Sequence, residues 1–172
     1  SSLKEIFKVN QGLQIAIDQR QKHPSLKSKK YITIQYLNDG KSVEYINDYS
    51  ESVCCERKDI LMTRTGNTGM VITNVEGVFH NNFFKINFDR NKLDKDFIVF
   101  FLNQPSTQRR IMDKAGTSTI PDLNHNDFYS LSIPLPPTIN EQKAITRVLT
   151  DTDALIQALE KMEYQEFYNQ TA

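Results

Sequence analysis

The sequence predicts a mixed α+β fold: a twisted antiparallel or mixed sheet body, followed by one long C-terminal helix. Three observations carry this. Short alternating apolar segments separated by glycine-bearing turns fill residues 31–88. Apolar runs of helical length then replace them at 94–115. From Thr138 onward, apolar residues recur every three or four positions to the end of the chain. At 172 residues with 38% hydrophobic and 24% charged content, the chain can bury a sizeable core.

The first element is YITIQYLNDGKSVEYI (31–46), read as a hairpin because Asp39-Gly40 supplies the positive φ angles of a tight turn. DILMTRTGNTGMVITNV (59–75) is a second hairpin, its strands flanking Thr65-Gly66-Asn67-Thr68-Gly69. GVFHNNFFKINF (77–88) reads as one strand interrupted by His80, Asn81 and Asn82. DKDFIVFFLN (94–103) is apolar on most sides, which predicts a buried helix. Pro105 opens another, since its missing N–H is not needed in a first turn, and Gly116 ends it. A polar loop then leads to a short strand, YSLSIPL, stopped by Pro134, Pro136 and Pro137.

Thr138 and Glu141 have the spacing of a capping box, in which each side chain satisfies the other residue's backbone N–H. The helix beyond it runs about 25 residues. Ile145, Val148, Thr152, Leu155, Leu159 and Met162 form a heptad seam, and Leu149 and Ile156 widen the apolar face. The seam predicts packing on its own domain or, because the helix is terminal, a partner helix in a coiled coil. The division expected is a globular body over residues 1–137 and a spacer or pairing helix over 138–172.

Charge is unevenly placed. The chain has 21 basic and 21 acidic residues, but 141–172 contains three basic and six acidic ones. The body therefore carries 18 basic against 15 acidic, with Arg20, Lys22, Lys27, Lys29 and Lys30 clustered. A mildly basic body suits contact with phosphate. No apolar run approaches the length of a membrane span, and no basic-then-apolar leader precedes the body. The only two cysteines, Cys54 and Cys55, are adjacent, which predicts reduced thiols and a cytoplasmic protein. The Ser1-Ser2 opening, in place of Met, is expected of a tag scar or of a cut made inside a longer protein.

One stretch imitates a catalytic centre. Asp122, then Glu141-x-Lys143, is the order in which many metal-dependent nucleases place their carboxylates and lysine. Glu141 already has a capping role, and Lys143 lies within the helix, pointing elsewhere. Neither a nucleotide-binding glycine turn nor a histidine pattern for a metal is present, and Asn124-His125-Asn126 reads as a hydrogen-bonding turn. The expectation is a protein with no catalytic residue, no metal and no cofactor.

The order of the pieces resembles one half of the DNA-specificity (S) subunit of type I restriction–modification systems. The resemblance rests on YLNDG, on Lys-Asp-Ile-Leu leading to Arg-Thr-Gly-Asn-Thr-Gly, and on a Phe-rich helix before Ala-Gly-Thr-Ser. It continues through Leu-Ser-Ile-Pro-Leu-Pro-Pro to Glu-Gln-Lys-Ala-Ile and the long helix. It implies a target-recognition domain that reads one half of a split double-stranded DNA site. It further implies methyltransferase subunits as partners and, through them, a restriction subunit, while a second unit pairs through the helix.

Polar residues able to read base edges concentrate in turns: Arg64, Thr65, Asn67 and Thr68; His80, Asn81 and Asn82; Thr117, Ser118 and Thr119; Asn124 and His125. Lys27, Lys29, Lys30 and Lys85, with Arg109, Arg110 and Lys114, are expected at phosphates. Two other readings remain open: the recognition domain of a fused restriction–methylation enzyme, and a protein–protein adaptor that uses the acidic helix without DNA.

Overall fold

The computed structural model describes residues 1–116 and 119–171, with the side chains of the last helix described as far as 165. Among the described residues there are two four-stranded sheets and six α-helices. The first sheet is antiparallel, in the order β1 (Lys8–Gln11), β8 (Phe83–Asn87), β5 (Ile60–Thr63), β6 (Val71–Ile72). The second is mixed, in the order β3 (Tyr45–Ile46), β2 (Lys29–Ile32), β7 (Gly77–Phe79), β4 (Cys54–Cys55), with β2 and β7 parallel.

The first sheet is covered on both faces, which is why Ile60, Leu61 and Met62 of its central strand β5 are apolar without a break. Ile60 and Met62 of β5, with Phe84 and Ile86 of β8, face the helical layer. That layer comprises α1 (Leu3–Ile6), α3 (Lys95–Asn103), α4 (Pro105–Ala115) and α5 (His125–Tyr129). Leu61 and Phe83 point the other way and pack with Ile32, Cys55 and Phe79 of the second sheet. Lys85 shares that inner face, and its Nζ donates to the Cys54 carbonyl at 2.7 Å.

The second hairpin is present, with Leu61 opposite Ile72 and Met62 opposite Val71. The first is corrected. β2 and β3 do pair, Lys29 with Ile46 and Lys30 with Tyr45, but a helix, α2 (Ile34–Asp39), connects them. Thr33 caps its start by accepting the Tyr36 N–H, and Gly40, at φ 63°, is the left-handed residue that ends it. The positive φ that the sequence demanded at Gly40 is real; it closes a helix and not a hairpin.

A second correction concerns 77–88. His80, Asn81 and Asn82 do not interrupt one strand; they carry the chain from β7 in one sheet to β8 in the other. The crossing is held by Gly12, whose N–H donates to Phe83 O and whose neighbour Leu13 donates to Phe79 O. A Cβ at position 12 would lie 2.2 Å from the Phe79 and His80 carbonyl oxygens, so only glycine permits this approach.

The strand expected at 129–135 is reduced to a single bridge, Ser2 with Ser132. Asn124 caps α5 by accepting the Asp127 N–H, which draws the start of that segment into a helix. Pro134 and Pro136 deny it further donors. The last helix, α6 (Ile139–Thr171), is 33 residues long, longer than the seam alone suggested. Its capping box is formed: Glu141 N–H donates to Thr138 Oγ1 at 3.2 Å and Thr138 N–H to Glu141 Oε2 at 3.1 Å.

Candidate nucleic-acid interface

Two loops are clasped at one end of the first sheet. The turn 64–69 uses Gly66 (φ 66°), Asn67 (φ 71°) and Gly69 (φ 88°) to fold back between β5 and β6. Thr63 Oγ1 donates to Asn67 O and accepts the Met70 N–H, fixing the turn from inside. Thr68 Oγ1 donates to Arg64 O and reaches across to Pro121 O at 2.7 Å. Thr65 bridges to Asp122, Leu123 N–H donates to Arg64 O, and the Arg64 guanidinium meets the Asp122 carboxylate at 2.8 Å.

This clasp delivers Arg64, Asn124 and His125 to one polar recess of about 400 Å³, where Gln11, Asn126 and Asp127 complete the lining. Arg64 is mostly enclosed there, and its Nε and the His125 Nε2 are buried without a hydrogen-bond partner among the described residues. The His125 ring stands edge-on to Phe84 at 5.8 Å. Burial, assisted by the nearby Arg64 charge, lowers the His125 pKa.

The Arg64 N–H donates to Asn82 O, which joins this recess to a larger cavity of about 470 Å³. His80 and Asn82 line it together with Arg20, Lys22, Lys41 and Glu44. His80 Nδ1 accepts the Asn82 N–H at 3.0 Å. Its pKa is lowered, by burial first and then by Arg20. Asn81, beside it, donates to Gln14 Oε1 and accepts at its carbonyl from Gln11. Arg20 and Lys22 share Glu44, at 3.0 and 3.6 Å, but Lys22 remains 77% exposed.

The structure therefore brings Arg64, His80, Asn82, Asn124 and His125 onto adjoining cavities, while Thr65 and Thr68 serve mainly to hold the clasp. Thr119 is exposed; Thr117 and Ser118 lie outside the described residues. The expected phosphate lysines fall elsewhere. Lys29 Nζ contacts Glu51 at 3.2 Å and lies over the Tyr49 ring, and Lys30 Nζ donates to the Tyr36 hydroxyl. Lys27 is exposed, with its carbonyl accepting from Tyr49, and Lys85 is turned between the sheets. Lys22 and Lys41 line the larger cavity instead. Arg20 and Lys22 belonged to the basic cluster in sequence; nothing marked Gln11 or Lys41.

The residues that imitate a nuclease are dispersed in role. Asp122 is paired with Arg64, and Glu141 caps α6. Among the described residues, no three His, Cys, Asp or Glu side chains gather as a metal site, and no helix is long and apolar enough to cross a membrane.

Residues 1–167 match the family model described as the type I restriction modification DNA specificity domain. The specificity subunit of the type I restriction enzyme MjaVIII of Methanocaldococcus jannaschii is 28% identical over 132 residues. That alignment covers 76% of this chain and 30% of the relative, so the chain spans under a third of that protein's length. The S subunit structure from M. genitalium superposes with a TM-score of 0.64 at 20% identity, over 94% of this chain and 40% of that one. The HsdS subunit from Thermoanaerobacter tengcongensis gives 0.70 at 13% identity, over 93% and 38%. With the family model matched over nearly its whole length, this chain belongs to the type I restriction–modification DNA specificity domain family.

Proposed function

We propose that this chain reads one half of a bipartite double-stranded DNA target and directs methyltransferase and restriction subunits to it, itself performing no catalysis. Residues 1–137 act as the reading domain and 138–172 as the spacer and pairing helix. The observation that carries the reading is the clasp between turns 64–69 and 119–124, which fixes Arg64, Asn124 and His125 around one polar recess. Base reading needs donors and acceptors held in place before contact, because ordering flexible side chains on binding consumes affinity. Gln11, Asn124 and Asn126 line that recess with amide groups, and Lys22 and Lys41 carry charge for phosphates on the adjoining cavity.

Selection from a randomised duplex pool at low salt tests this. The chain is expected to enrich one short half-site. Gln11→Ala with Asn124→Ala should change the enriched bases. Lys22→Ala with Lys41→Ala should weaken all duplexes alike and lower the salt slope by about one unit per contact. Failure to retain any duplex would favour an adaptor acting through α6. An unchanged enriched sequence in the first variant would place base reading on another face.

A further inference from the structure

Ile17 is 77% exposed and lines the larger cavity, together with Arg20, Lys22, Lys41, His80 and Asn82. Ile34 and Val43, both half-buried, line the same cavity. Leu26 and Ile120 are exposed as well, but they line neither this cavity nor the recess at His125. A single exposed aliphatic is ordinary on a protein surface. Three of them in one cavity that also holds cations make a surface with two chemistries.

The backbone beneath Ile17 is fixed from both sides. Ahead of it, the buried Ile15 donates its N–H to the Tyr31 hydroxyl at 3.3 Å, and that hydroxyl donates to Leu13 O at 2.6 Å. Behind it, the Arg20 guanidinium donates to Ile15 O from Nε and Nη2, at 3.0 and 2.8 Å. The Arg20 N–H closes a short 3-10 turn, Ile17–Gln19, onto Ile17 O. The side chain on that turn is β-branched, with a restricted χ1, so it has few rotamers to lose on meeting a ligand.

The charged lining of the cavity is three cations against one carboxylate, Glu44. Glu44 is engaged by Arg20 and Lys22, and Lys41 has no ion pair among the described residues. The excess is positive, the sign that suits a phosphate backbone. An apolar wall beside those cations has one counterpart among the base edges of a duplex. In the major groove the thymine 5-methyl is the apolar group on display, and the minor groove presents only donors and acceptors.

We propose that Ile17 is a specificity-determining residue, packing on the 5-methyl group of a thymine in the major groove while Lys22 and Lys41 take neighbouring phosphates. The proposal rests on the half-site reading and adds to it a groove, a base and the side chain that recognises it.

Deoxyuridine isolates the methyl. The probe is the duplex enriched by selection, with each thymine in turn replaced by deoxyuridine, which keeps the pairing and the hydrogen-bonding edges. At one position this replacement should weaken binding by the wild-type chain about fourfold, the worth of one buried methyl. Ile17→Ala should bind the thymine and deoxyuridine duplexes alike, which ties the methyl to this side chain. A side chain so exposed can be shortened without disturbing the core. Lys22→Ala with Lys41→Ala should bind both duplexes more weakly and keep the fourfold ratio.

A wild-type chain indifferent to every deoxyuridine, or a fourfold ratio undiminished in Ile17→Ala, would overturn the proposal and leave the half-site reading standing. Weaker binding of Ile17→Ala to all duplexes, with the ratio intact, would make Ile17 a contact without sequence preference and overturn it too. Retention of no duplex at all would remove the half-site reading, and this contact with it.

Discussion

The body and the helix that leaves it satisfy their groups by opposite routes. Within the body, both faces of the central sheet are buried, and the polar turns that project from it are tied to each other by side chains such as Thr63, Thr68 and Asp122. Along α6, every described residue from Thr150 to Gln165 is exposed, Leu155 and Leu159 included. The body buries most of its large apolar side chains internally, whereas the helix leaves its seam uncovered. A rigid body with fixed turns suits reading a surface of defined shape; a helix with an uncovered seam suits assembly.

The largest separation between the two regions should appear on truncating an apolar side chain in each. Phe84 is fully buried and stacks edge-on against Phe128 at 5.0 Å. Phe84→Ala should cost about 3–5 kcal/mol of unfolding free energy, the range for a lost core aromatic. Leu159→Ala should move the unfolding of the monomeric body by less than about 0.5 kcal/mol. Urea unfolding followed by tyrosine fluorescence is practical because the chain has no tryptophan. Comparable losses in the two variants would mean that the helix is folded into the body's cooperative unit.

The joint between the regions sets the next effect. Gln142 is 1% exposed; its side-chain oxygen accepts the Asp94 N–H, and its amide donates to Lys92 O and Pro136 O. The bonds to Asp94 and Lys92 fasten the first turn of α6 to the start of α3, and the one to Pro136 ties it to the segment leading into α6. Gln142→Ala leaves a buried donor and buried acceptors unmet, which should cost roughly 2 kcal/mol and speed amide exchange in the first turn of α6. Glu141→Ala, which removes only the exposed capping contact, should cost about 0.5–1.5 kcal/mol. If Glu141→Ala proves the more damaging of the two, the helix is held by its cap and not by the glutamine.

Gln142 also marks where sequence reasoning stops. The capping box around it was legible because Thr138 and Glu141 satisfy each other locally, three residues apart. Gln142 bonds partners up to 50 residues away, and no spacing rule announces that. The same division runs through the candidate site. The second hairpin, the helices at 95–115 and the long helix follow from local patterns, and they are where the structure puts them. The Asp39-Gly40 hairpin became a helix end because a left-handed glycine serves both, and the choice depended on Thr33 capping seven residues earlier. The lysines at 29 and 30 looked free until folding brought Glu51 and Tyr36 to them. Lys41 and Gln11 gained their positions only from the meeting of two sheets.

The smallest expected effect is a pH dependence confined to the body. His80 and His125 both have lowered pKa values, burial being the first cause in each and a neighbouring arginine the second. His80 shares its cavity with Arg20, Lys22, Lys41 and Glu44; His125 shares its recess with Arg64 and Asp127. A base whose folded pKa is lowered binds fewer protons in the native state than in the unfolded chain. The stability this gives is complete above the ordinary histidine value of 6.5 and is lost as pH falls through the lowered folded values. Unfolding midpoints should therefore fall between pH 7 and about 5. His80→Gln, which keeps a hydrogen-bond acceptor near the Asn82 N–H, should remove part of that fall, and His125→Gln a further part. The seam of α6 contains no titrating side chain in this range, so self-association should change little over the same interval. A double variant that still shows the full wild-type decline would assign the acid sensitivity to groups other than these two histidines.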